Sequence, residues 1–148
     1  MKLKSQTSGI IGNVSITRYN AEGTVIEKAY IPNLVVSVGK TYIASRVIGT
    51  TQSPMSHIAL GSNSTVAVNG DSTLGTELGR VVLSSATSTD NVVTYTATFG
   101  AGVASGGIQE AGLFNASSGG VMLARTTFPI VNKSASDVIA ISWAVSIL

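Results

Sequence analysis

The sequence predicts an all-β protein: an antiparallel β-sandwich, jelly-roll or immunoglobulin-like, with an N-terminal hairpin and one short helix. Three observations carry this expectation. Gly, Ser and Thr together supply 52 of the 148 residues and Pro only 3, a mixture that suits short strands joined by tight turns. Apolar and polar residues alternate over several segments, most cleanly from Asn91 to Phe99 and from Val138 to Leu148. Charged residues number only 16, 11% of the chain, where about 25% is usual. A chain of this length fits one domain with its own core.

The elements follow in order. Asn13 to Tyr19 sets Val14 and Ile16 on one face and Ser15 and Thr17 on the other. Asn20-Ala21-Glu22-Gly23 reads as a turn, and Thr24 to Tyr30 resumes as a strand. Pro32 and Asn33 are expected to end this hairpin, which divides the chain into an arm, 1–32, and a sandwich domain, 33–148. Val38 to Val47 places Tyr42, Ile43, Arg46 and Val47 at helical spacing with Gly49 as a stop, which predicts the one helix. Met55 to Leu60 is a short apolar run. Residues 63–79 read as a long loop with a turn at Asn69-Gly70-Asp71 and one helical turn within Thr73–Leu78. Strands are expected at Arg80–Ala86 and Asn91–Phe99.

Ile108–Phe114 and Val121–Phe128 flank the turn residues 115–120 as a second hairpin. Glu110, in an apolar stretch, is expected to be a buried partner of Arg125 across it. The last strand has large residues at Ile139, Ile141, Trp143, Val145 and Ile147, and small ones at Ala140, Ser142, Ala144 and Ser146. One face packs a core and the other allows close approach, so a central strand or a subunit interface is implied. Val93, Tyr95, Phe99, Leu113, Ile139, Ile141 and Trp143 are the expected core. Val14, Ile16, Ala140, Ser142, Ala144 and Ser146 are the candidate contact residues.

Little in the sequence points to chemistry. There is no Cys, and His57 is the only His, so this chain alone supplies no structural zinc site. Gly39-Lys40-Thr41 has the tail of a phosphate-binding loop, but Leu34 stands where that loop needs its first Gly. The acidic residues lack calcium-loop spacing. No catalytic, metal or cofactor residue is assigned, and no small-molecule substrate is expected. A net charge of +2 is too small for a nucleic-acid footprint. The longest apolar run, Val138 to Leu148, is short of the about 20 residues that a spanning helix needs. Met1-Lys2-Leu3-Lys4 is charged like the start of a signal peptide, but a polar stretch follows it. So little charge on a soluble chain favours association.

Several segments carry a resemblance. His57-Ile-Ala-Leu-Gly-Ser62, Gly70-Asp-Ser-Thr-Leu-Gly-Thr-Glu-Leu-Gly-Arg80, Ile108-Gln-Glu-Ala-Gly-Leu-Phe-Asn115, Gly120-Val-Met-Leu-Ala-Arg125 with Phe128-Pro129, and Asp137-Val-Ile-Ala-Ile-Ser-Trp-Ala-Val145 are similar to structural proteins of tailed bacteriophages. The resemblance covers the chain from about Asn33 onward, roughly three quarters of it, and leaves out the first hairpin. It implies a virion component, made in the bacterial host cytoplasm. The first expectation is a capsid decoration (cement) protein, a homo-oligomer and most naturally a trimer, clamping the major capsid protein. The alternative is a tail-associated subunit of a baseplate or fibre attachment, bound to tail proteins. Neither role is enzymatic.

Overall fold

The side chain of Asn20 accepts hydrogen bonds from the backbone N–H groups of Glu22 and Thr24 (3.1 and 2.9 Å), and Gly23 takes a left-handed conformation at φ 79°. This turn returns β1 (Ile10–Tyr19) into β2 (Val25–Val35) as a hairpin. A computed structural model describes residues 9–148; the charged opening Met1–Lys4 lies outside them. Beyond the hairpin follow α1 (Ser37–Val47), β3 (His57–Gly61), β4 (Glu77–Val82), β5 (Ser85–Thr89), β6 (Val92–Phe99), β7 (Gly106–Phe114), β8 (Met122–Lys133) and β9 (Val138–Ile147). The fold is all-β with one short helix, as the alternation predicts.

All strand pairings are antiparallel, in the order β4-β3-β7-β8-β2-β1-β9-β6-β5. The sheet is curled, and side chains from both of its halves share one core. Two segments join the halves, β2 and the link from β4 to β5, each changing partner between adjacent residues. In β2, Asn33 still pairs with Gly12 of β1, while Leu34 pairs with Arg125 of β8. At the end of β4, Leu83 N–H donates to Ser56 O on the β3 side, and Ser84 N–H donates to Thr96 O on β6.

The core between the halves holds Val14, Ile16, Ile58, Leu60, Phe99, Leu113, Ile139, Ile141 and Trp143, all buried. Trp143 Nε1–H donates to Asn33 Oδ1 (2.9 Å), which satisfies the indole inside. The β3–β7–β8 half is also covered on its outer side. There Val36, Ala59, Leu74, Phe114 and Met122 form a second apolar cluster. Helix α1 docks on β8 through Gly39, where a Cβ would overlap the backbone carbonyl of Leu123. It is not long and apolar enough to cross a membrane.

Several sequence expectations are corrected. The division at residue 32 falls inside β2, and β1 lies between β2 and β9, so the opening hairpin is part of the sheet and not an arm. Pro32 does not end β2. Its carbonyl accepts from Thr126 Oγ1 (2.7 Å) on the side away from β1, so its missing N–H faces away from the β1 ladder and costs that ladder nothing. The strand expected at 80–86 is two strands with a corner between them. Thr73–Leu78 makes no helical turn; it is bends leading into β4. Val93 and Tyr95 are half-buried at the rim, and Ile147 is exposed.

Candidate functional site

Strand β9 lies between β1 and β6, and its small residues all face the outer side of that half-sheet. Register places Ser142 between Ser15 and Thr96, with Ser85 beyond Thr96 and Tyr30 beyond Ser15. The next rows set Ala144 between Asn13 and Thr94, and Ala140 between Thr17 and Thr98. Directly opposed residues share a face, so β1, β9 and β6 present hydroxyls, methyls and the Asn13 amide with no charge, and the charge beside them is the exposed Lys28 on β2, opposite Thr17. A depression of about 230 Å³ lies in it, above Ala140 and Ser142. Tyr30, at 80% exposure, stands at its margin.

Ala140, Ser142, Ala144 and Ser146 are thus gathered on one accessible face. Val14 and Ile16 are not with them: each is buried in the core, because the register sets Val14 opposite Trp143 and Ile16 opposite Ile141. Their side chains are spent on the core and offer no surface, so their candidacy as contact residues is corrected.

The second constellation is buried. Glu110 on β7, fully inaccessible, accepts five hydrogen bonds: Oε1 from the N–H groups of Asn63 (3.2 Å) and Thr76 (2.7 Å), and Oε2 from Gly75 N–H (2.9 Å) and from Arg125 Nε and Nη2 (3.1 and 2.9 Å). Arg125 then reaches Asp71 through Nη1 (2.9 Å), and Asp71 Oδ2 also accepts Val68 N–H (2.9 Å). The network staples the loop 62–76 onto the outer side of β3, β7 and β8. Gly61 leaves the room for it, since a Cβ there would overlap Glu110 Oε1 and the Thr76 carbonyl. Arg80 adds a clasp: it pairs with Glu77, donates to the carbonyls of Ala116 and Gly119, and stacks on the Phe114 ring at 3.7 Å.

The sequence indicates the Glu110–Arg125 pair, and the structure shows it. It does not indicate Asp71 or the loop N–H donors, whose only signal is that a buried carboxylate needs several partners.

A third group lies at the far end of the first hairpin. Arg18 bridges Glu27 (3.0 Å) and Asp137 (2.9 Å). The Ser134 backbone N–H, and after it Arg18, holds the Asp137 carboxyl below the usual carboxylate range. Lys133 is buried and donates to Gly100 O (2.9 Å); desolvation pulls its pKa below that of an ordinary lysine. His57 Nδ1 shares a hydrogen bond with the neighbouring Ser56 Oγ (2.8 Å), and among the described residues no carboxylate contacts its ring. Among the described residues no group of three His, Asp or Glu side chains is placed to hold a metal. Comparison with known protein families, with curated proteins and with solved structures returns no match.

Proposed function

We propose that the chain is a structural component of a tailed-bacteriophage virion, a capsid decoration protein that works by packing against copies of itself and against the major capsid protein, and not by turnover. The observation that carries this reading is the uncharged outer face of β1, β9 and β6. Hydroxyl and methyl groups on a sheet lose less on leaving water than ionised groups do, so this face is cheap to bury against another protein. The ionic groups support the same reading. Glu110, Arg125 and Asp71 spend their hydrogen bonds inside the fold, on positioning a loop. Identical subunits usually close into rings, and a trimer suits the three-fold sites of an icosahedral shell.

Two measurements test this. Light scattering of the purified protein should give a closed oligomer at micromolar concentration, and Ala144→Arg should dissociate it without lowering the unfolding midpoint. A monomeric wild type overturns the self-association. In purified particles, the copy number should scale with the capsid lattice. A handful of copies moves the protein to the tail, and none at all overturns the virion reading.

A further inference from the structure

The tip of the stapled loop carries the single Asn-Gly pair of the chain, Asn69-Gly70. In such a pair the amide nitrogen of the second residue reaches the side-chain carbonyl of the first with least hindrance, because Gly has no Cβ and the freest backbone. The local structure leaves this pair open. Both residues are exposed, nothing lies within 4 Å of where a Gly70 Cβ would stand, and among the described residues no group accepts the Gly70 N–H. The frame around the pair is held instead. Asn69 O accepts Ser37 N–H at the start of α1 (2.9 Å), Asp71 N–H donates to Val68 O (3.0 Å), and Asp71 Oδ2 is held by Val68 N–H and Arg125 Nη1.

We propose that Asn69 is a self-modification site, which deamidates in the folded protein through a succinimide with Gly70 and thereby loosens the loop from the sheet. The Gly70 nitrogen gives its proton to hydroxide and bonds to Asn69 Cγ, and ammonia leaves. Water then opens the five-membered ring. Cleavage at Cγ gives aspartate; cleavage at the original backbone carbonyl gives isoaspartate. The balance is one water taken up and one ammonia released, with no oxidant or metal. The isoaspartyl product adds a methylene to the main chain between the α1 cap and Asp71. It displaces the carbonyl that Ser37 uses, shifts Asp71 relative to Arg125, and places a second carboxylate near the first.

The test is incubation of the full-length protein at mildly alkaline pH, followed by peptide mapping and isoaspartyl methyltransferase labelling. Asn69 should convert before any other Asn. Gly70→Ala, which has open space for its methyl group, should fold normally and slow the conversion roughly tenfold or more by hindering the near-attack geometry. Asn69→Gln is a second control, with a side chain too long to close the five-membered ring readily. Aged wild type should show faster protease cleavage within 62–76 than fresh protein, and aged Gly70→Ala should not. An intact Asn69 in protein whose other Asn residues have converted, or conversion only in denaturant, overturns the proposal. Conversion without faster cleavage overturns its second half, the loosening of the loop.

Discussion

Glu110→Gln changes one atom and should cost much of the stability of the fold. All five groups around the Glu110 carboxylate are donors, two at Oε1 and three at Oε2. A glutamine brings an NH2 that must face one of these sets, so at least two donors lose their acceptor. Each buried donor left without a partner costs about 1–3 kcal/mol. Arg125 also loses the more deeply buried of its two countercharges, and breaking a buried ion pair from one side costs about 3–5 kcal/mol. These costs overlap, because the loop 62–76 can lift and let water in. The expected loss is about 3–5 kcal/mol, against a total of about 5–15 kcal/mol for a typical domain. Urea unfolding should show it as a midpoint lower by about 2 M, with limited proteolysis cutting first within 62–76. Adding Arg125→Met should recover part of the loss, because the double variant removes the buried guanidinium and leaves only Asp71, which is partly exposed to water, without its cation. A single variant with an unchanged midpoint would refute the argument that this carboxylate holds the loop.

Three further expectations follow from the geometry. Trp143→Ala should cost about 3–5 kcal/mol by calorimetry or denaturant titration, since it empties the largest fully buried site and leaves Asn33 Oδ1 without its donor. Gly39→Ala should cost about 1–3 kcal/mol and speed hydrogen exchange across α1, because the new methyl strikes the Leu123 carbonyl and the helix must lift. Asp137 has its pKa depressed in the fold, so its contribution is present above the ordinary carboxylate range and is lost as pH falls through the depressed value. Asp137→Asn should flatten that acid limb of the melting-temperature profile, and an unchanged limb would assign it to other carboxylates.

The sequence announces what is local and stays silent on what is distant. Strand β9 is legible because its large and small residues alternate over its whole length, and α1 because Tyr42, Ile43 and Arg46 share a helical face. The same alternation in β1 separates two faces without saying which is inside. That is settled by pairing with β9, which is more than a hundred residues away, and the pairing puts Val14 and Ile16 against Trp143 and Ile141. Pro32 breaks a local rule, yet costs nothing where its carbonyl faces away from β1. Glu110 and Arg125 are readable as a pair across a hairpin. Asp71, Asn63 and Gly75 are not, because only the docking of a long loop brings them there. The face of Ala140, Ser142 and Ala144 is readable from residue size alone, while Tyr30 at its margin enters only through the β1–β2 register.

Both segments that pass from one half of the sheet to the other, β2 and the β4–β5 link, do so between neighbouring residues, Asn33 to Leu34 and Leu83 to Ser84. A disturbance in one half therefore cannot stop at a boundary, since β2 and the β4–β5 segment carry it across as covalent chain. The protein should melt as a single cooperative unit, with no half surviving alone as a folding intermediate. The same corners set where the chain can tolerate growth. An inserted residue at 33–34 or 83–84 would shift the register of two ladders at once, whereas the turns at 20–24 and 115–120 close one hairpin each and can lengthen at little entropic cost. Sequence drift and added loops should collect at those two turns, and the corners should keep their length.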